Sequence, residues 1–535
     1  MKEAWVSALR KYRFLWMLAS AALTGLCVVL PMCGFLEWIS LVPAALVLFI
    51  MAEDRSVRLR RFYGYGFFFF MCYYVVNYHW FLAMYPLAFL NVSKGLAAGI
   101  VAFSWLGLSA LQASGGAFVF LVAAICLRSR TTAKMPLLAP FLLCAIWTFF
   151  EWTQTLGWVG VPWGRLSLGQ TAYLPMIQSA SLFGSYFVTF LLLCTNFCIA
   201  YLLLHVRARR ICAFCAAGAC LGNLLLGTVL CLSDTDTGRS VRVAGIQGNI
   251  SSKDKFDQSM VDETFRSYRE NTEAAVREGA ELILWPETAM AYTYSPESLA
   301  GRFMAECATE NRVTLLAGVF TEDGQDHLYN SIMAIAPDGT VSQTVYSKRH
   351  LVPFGEYVPL RPLVEALVPM MTEMATMDLT PGDDPAIFET EVGKLGSIIC
   401  FDSIYDQLTL DSTRAGAELI CLSTNDSWFG DSAAAYMHNA QAKLRAVECG
   451  RYLVRAANTG YSTIISPHGE IIADTPILEE GYVIADVTLR SNVTLYVQIG
   501  NAFVFFCGAF FAGVLVCGVF LRIKDRGRSA EENPK

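Results

Sequence analysis

A chain of 535 residues is long enough for two to four domains. Hydrophobic residues make up 55% of it and charged residues only 16%, against roughly 25% charged in soluble domains, which excludes an ordinary water-soluble protein. The formal net charge of −6 singles out no partner, and neither a basic nucleic-acid patch nor a Gly-rich phosphate loop occurs.

Apolar runs lie near 14–32, 37–52, 63–85, 96–127, 136–156, 177–204 and 211–232, with one more near 497–521. A bilayer span needs ~20 mostly apolar residues, so eight transmembrane helices are predicted. Seven precede a large insert at 233–495 and one follows it. The second and fifth runs are the shortest, with Glu37 and Glu151 at their ends. The first run follows a basic stretch, as a signal peptide does. Its length, the lack of an Ala-x-Ala-like exit and the span that follows at once make it an uncleaved helix.

Alternate loops are basic: Lys2 to Arg13, Arg55 to Arg61, Arg128 to Lys134, Arg207 to Arg210 and Arg522 to Arg528. The short loops between them carry only Lys94 and Arg165. Basic loops stay in the cytoplasm, so both termini are expected inside and the insert outside. Within the first part, "YGYGFFFFMCYYVVNYHWF" reads as lipid-facing surface. His79, inside it, reads as a helix–helix hydrogen-bond partner. Trp163 and Arg165 fall in an outward-facing loop, where meeting a lipid headgroup and anchoring at the interface are both open.

Eleven of the 17 cysteines precede the insert and two follow it. The insert has Cys307, Cys400, Cys421 and Cys449, without CxxC or Cys/His ligand spacing, so no zinc site is expected. Disulfides among the four stay open.

The insert alternates strands and helices. "SVRVAGIQGNI" is strand-like, and 257–278 is an amphipathic helix. "AELILWPET" is a buried strand reaching Glu287, and "VTLLAGVF" is another. A hairpin turning at Pro-Asp-Gly runs to Lys348. "KLGSIIC" ends at Cys400, "AELICLSTNDSWFG" follows, and 434–450 is a helix. This order predicts an α/β domain or a layered α-β-β-α sandwich.

Three strand ends thus carry reactive groups. A thiol is largely protonated at neutral pH and needs a base or a cation to become a nucleophile. Glu287, beside Trp285 and Pro286, can take that proton. Lys348 can stabilise the thiolate and an oxyanion, together with the backbone N–H after the cysteine. Taken as chemistry alone, a half-buried structural thiol at Cys400 stays open.

"LILWPET", "KRHLVPFGEYVPL", "GSIICFDSIY" and "STNDSWFGDS" resemble, in order, the motifs of the nitrilase (carbon–nitrogen hydrolase) superfamily. With the helices and the segment "GVPWGRLSLGQ", nearly the whole chain is similar to the apolipoprotein N-acyltransferase family. The resemblance implies a membrane domain over 1–232, a periplasmic nitrilase-like catalytic domain over 233–495, and an eighth helix with a cytoplasmic tail over 496–535, in a bacterial inner membrane. It implies a fatty acyl chain taken from a phospholipid as a Cys400 thioester and passed to the α-amino group of a diacylglyceryl-cysteine on an apolipoprotein. No cofactor or metal is expected, and the membrane anchor favours a monomer.

By the same resemblance, Glu287 is the general base, Lys348 the oxyanion partner, Cys400 the nucleophile and Glu356 the residue that orients the lysine. Phe401 stands where the family usually has Tyr, Asp402 where it more often has Glu, and Phe256 where it often has Trp. Phe401 and Asp402 are supporting candidates; Phe256, Trp163 and Trp428 are substrate-binding candidates. Residues 362–377, "PLVEALVPMMTEMATM", suit either a flap over the site or packing on the membrane domain. Two rival functions remain: a membrane-tethered amidase in which water accepts the acyl group, and a transporter or lipid-binding protein with no reactive cysteine.

Overall fold

The computed structural model describes residues 2–87, 92–233, 238–251, 254–367 and 378–532. The chain divides into two compact units, one of residues 1–79, 100–232 and 499–535, the other of 80–99 and 233–498.

The first unit is helical. Among the described residues, six helices are long and apolar enough to cross a membrane: Pro31–Glu53, Lys94–Leu127, Pro136–Thr153, Ser185–Leu204, Val206–Ser233 and Ala502–Asp525. A seventh is added if Trp5–Lys11 and Arg13–Val29, bent by 84°, count as one span. The expected eight are therefore not all reproduced. The span read over 63–85 is a helix at Leu59–Asn77 followed by a 3-10 turn at His79–Met84. Its tyrosines, glycines and leading arginines keep it less apolar than the others.

That aromatic helix also corrects the lipid-facing reading. Phe69, Phe70, Tyr73 and Tyr74 are buried, and Phe70 packs 4.9 Å from Trp147. Gly116 makes room, since a Cβ there would lie 2.4 Å from the Phe70 ring. His79 bonds a carbonyl within its own segment, that of Val76, at 2.8 Å rather than another helix. Glu37 opens the helix Glu37–Ser40 and Glu151 lies in the last turn of Ala139–Thr153, and both are buried. Glu37 Oε2 accepts from Gln170 at 2.7 Å. Glu151 accepts from Leu166 N at 3.1 Å and from Thr189 at 2.8 Å. Such bonds satisfy polar groups that lipid could not.

The second unit is a sandwich of two six-stranded sheets. Its strands are β1 (Ser240–Gln247), β2 (Leu282–Leu284), β3 (Thr314–Glu322), β4 (Leu328–Ile335), β5 (Val341–Ser347), β6 (Ile387–Glu389), β7 (Lys394–Ile399), β8 (Leu419–Thr424), β9 (Leu453–Ala457), β10 (Thr463–Ile465), β11 (Ile471–Asp474) and β12 (Gly481–Thr488). One sheet runs β12-β1-β2-β3-β4-β5 and the other β11-β10-β9-β8-β7-β6. In each, the three central strands are parallel: β1-β2-β3 and β7-β8-β9. Strands buried on both faces carry continuous apolar runs, as LIL and LICLST do.

The sheets pack face to face where β1 meets β9. A Cβ on Gly245 would lie 3.4 Å from that of Ala456, and Ser423 Oγ donates across to Trp285 O at 2.9 Å. Helices Val261–Arg277 and Leu299–Asn311 lie along the first sheet, and Asp406–Arg414 and Ala433–Cys449 along the second. This is the α-β-β-α order expected from the sequence. The core of the first layer gathers Ile246, Trp285, Phe303 and Leu315.

Candidate active site

Each candidate side chain stands just past a strand, buried for Glu287 and Cys400 and half-buried for Lys348. Glu287 is three residues beyond β2, Lys348 is the first residue beyond β5 and Cys400 the first beyond β7. The apolar runs of β2 and β7 bury, and the polar residues after them emerge at the strand ends, where open α/β sheets place their ligands.

Lys348 is 1% exposed and bridges two carboxylates, with Nζ 2.9 Å from Glu287 Oε1 and 2.9 Å from Glu356 Oε1. Asn330 Nδ2 donates to the same two oxygens at 2.8 and 3.1 Å. The second Glu356 oxygen accepts from Val352 N at 2.8 Å. Burial opposes a charge on Lys348, but Glu287 and Glu356 outweigh it and hold the ammonium protonated. Burial likewise works against a charged Glu287; Lys348, then Lys255 and Asn330, overcome it and keep this carboxyl below its ordinary value.

Cys400 opens a 3-10 turn, Cys400–Ile404, with a positive φ of 47°. Burial pushes its thiol well above the ordinary value and the Glu287 charge adds to this, while Lys348 and a hydrogen bond with Thr424 offset part of it. The resting pair is therefore a carboxylate and a thiol. That arrangement suits proton transfer during attack rather than a preformed thiolate.

Asp402 is fully buried and acts as a clamp. One oxygen accepts from Tyr346 OH at 2.8 Å and Ile399 N at 3.1 Å, and the other from His350 N at 2.8 Å. Burial raises its pKa to about 6. Phe401 is half-buried with its ring 5.6 Å from Tyr405. Trp428 is 42% exposed, next to Phe429, whose ring meets Trp80 edge-on at 5.0 Å.

Trp163 is buried in the helical unit. Arg165, read as a loop residue able to reach a headgroup, is fully buried with its guanidinium over the Tyr186 ring at 4.7 Å. The side chain of Phe256 and residues 368–377 of the flap candidate lie outside the described residues. The four cysteines of the insert are free thiols. Among the described residues, no group of three or more His, Cys, Asp or Glu is arranged to hold a metal ion.

Sequence reasoning missed a second buried lysine. Lys255 Nζ donates to Glu287 O at 2.8 Å and Thr288 Oγ1 at 2.5 Å. Burial lowers its pKa to about 8, against the pull of Glu287 and Cys400. Its neighbour Phe256 drew attention for its ring, while a lysine in a polar loop gives no sign of burial. Asn330 was missed too, because an Asn inside a strand reads as an ordinary ladder residue.

Residues 242–493 match the carbon–nitrogen hydrolase family, and residues 20–198 match the apolipoprotein N-acyltransferase N-terminal domain. The apolipoprotein N-acyltransferase of Geobacter metallireducens is 32% identical over 373 residues, covering 68% of this chain and 71% of the relative. That of Gloeobacter violaceus is 31% identical over 474 residues, covering 88% and 87%. Nit3 of Saccharomyces cerevisiae, a nitrilase-superfamily member of solved structure, aligns at 20% identity with 48% of this chain and 92% of its own, at a TM-score of 0.38.

Proposed function

Because this chain belongs to the apolipoprotein N-acyltransferase family, we propose that it moves a fatty acyl chain from a phospholipid, through a Cys400 thioester, to the α-amino group of a lipoprotein's diacylglyceryl-cysteine. The observation that carries this reading is the buried Lys348 held 2.9 Å from both Glu287 and Glu356, at strand ends shared with Cys400.

Glu287 takes the Cys400 proton as sulfur attacks the ester carbonyl. A carbon–sulfur bond forms, and the carbonyl oxygen becomes an oxyanion facing the Lys348 ammonium and the backbone N–H of Phe401. Collapse breaks the ester carbon–oxygen bond, and the departing lysophospholipid oxygen receives the proton from Glu287. The acceptor amine then attacks the thioester and gives its proton to Glu287. A second oxyanion collapses to the amide, and the sulfur leaves with that proton. Glu356 and Asn330 keep Lys348 in place throughout.

The enzyme is a bacterial membrane protein, and the loop charges support a catalytic unit in the periplasm with both termini cytoplasmic. It acts as a monomer, because the membrane already gathers both lipid-anchored substrates.

The test is intact mass after incubation with phospholipid. A fatty-acyl increment, removed by neutral hydroxylamine and absent from Cys400→Ser, is expected. A folded protein that stays unmodified with several donor lipids overturns the reading.

A further inference from the structure

Behind the nucleophile lies a buried chain of polar groups that the steps above do not use. His438 is 1% exposed, Asp426 2% and Arg455 0%. The Nδ1 edge of His438 is 2.9 Å from Asp426 Oδ1 and 3.2 Å from Arg455 Nη2. Arg455 Nη2 also donates to the other Asp426 oxygen at 2.6 Å. Whichever form Nδ1 takes, one of these two groups holds it. The opposite edge meets the nucleophile's own backbone, with Nε2 3.1 Å from Cys400 O. A carbonyl oxygen can only accept, so Nε2 is the donor. Ser403 Oγ lies 2.9 Å from Nε2 and donates to the same carbonyl at 2.8 Å.

Two side-chain donors therefore converge on the carbonyl of a non-glycine residue at positive φ. Such a backbone is strained and persists only where its surroundings hold it. A trans peptide is planar, so its C=O and N–H point in opposite directions. Fixing the Cys400 carbonyl into the interior turns the Phe401 N–H away from it. Phe401 is the second residue of the 3-10 turn, so this N–H has no acceptor within the turn. A buried ionic group kept only for stability is often replaceable by apolar packing. This one ends on the peptide that carries an oxyanion donor.

We propose that His438, held by Asp426 and Arg455, is a positioning residue that anchors the Cys400 carbonyl and so aims the Phe401 N–H at the oxyanion. The proposal rests on Cys400 being the acyl-accepting nucleophile.

The full-length protein is treated in parallel with p-nitrophenyl palmitate and with iodoacetamide. Acylation passes through an oxyanion and alkylation at carbon does not. In His438→Ala the rate of acyl-enzyme formation is expected to fall ~10-fold or more while alkylation changes by less than about twofold, because only the first reaction needs the aimed donor. His438→Gln, which can still offer an amide N–H, is expected to regain much of the loss. Alkylation also reports whether the site has kept its fold. Rates that fall together, or an acylation rate that does not fall, overturn the inference alone. A wild-type protein that is alkylated but never acylated overturns the proposed function and the inference together.

Discussion

Glu287 and Glu356 bring two negative charges into the site, and Lys348 and Lys255 bring two positive ones. That balance explains why a second lysine is buried there, since an uncompensated charge in the interior would be expensive. The Lys255 cation touches the backbone of Glu287 and favours negative charge on Cys400 and its adduct. With its pKa lowered to about 8, Lys255 is charged below that pH and neutral above it. Single-turnover acylation should therefore decline as pH rises through about 8. In Lys255→Arg that decline should disappear, and Lys255→Met should be slower by about tenfold at neutral pH. Rapid-quench mass measurements across pH check this; an unchanged profile in Lys255→Arg would contradict it. Cys400 and Glu287 could be picked out because each follows a readable apolar strand, and Lys348 because it closes a hairpin marked by its Pro-Asp-Gly turn. Lys255, Asn330 and His438 could not, because their partners are 32, 43 and 38 residues away in the chain.

The turn that carries Glu287 depends on a strand beside it. Trp285 N and Met290 N bond to Leu316 O and Gly318 O on β3, and Thr288 has a positive φ of 45°. At Gly318 an added Cβ would lie 2.3 Å from Pro286 O and 2.5 Å from Thr288 N. Gly318→Ala should push the Glu287 turn off β3, destabilising the unit by about 1–3 kcal/mol. Because that shift moves the carboxylate, acylation should fall further than the loss of folded protein explains. Urea unfolding read beside acylation separates the two; a fully active variant would refute the packing argument. The nucleophile's turn is built differently, with Asp402 tying it to Tyr346 and His350. The carboxylate of Asp402, the supporting candidate in "GSIICFDSIY", faces the turn's scaffold.

At the scale of the whole chain, composition divides an apolar part from a globular insert. Residues 80–99 fall in the same compact unit as 233–498 although they are far from it in sequence. The alternating basic loops give the placement of the insert a direct test. Asp326→Cys, in an exposed loop of the insert, should react with a membrane-impermeant maleimide in intact spheroplasts. Lys134→Cys, exposed in a basic loop, should react only after lysis. The reverse pattern would place the catalytic unit in the cytoplasm and exclude the proposed acceptor.

By itself the sequence determined the two kinds of unit, the order of strands and helices, and the strand ends at Glu287, Lys348 and Cys400. Hydropathy and period-2 patterns are local, and a polar residue closing an apolar run can be seen within ten residues. The tertiary structure alone decided which polar groups meet. It buried the aromatic face of Leu59–Asn77, Arg165 and the two membrane glutamates, and it joined Lys255 to Glu287 and His438 to the Cys400 carbonyl. Those outcomes depend on two facing sheets and on packed helices, which set distances between residues that the linear pattern leaves unrelated.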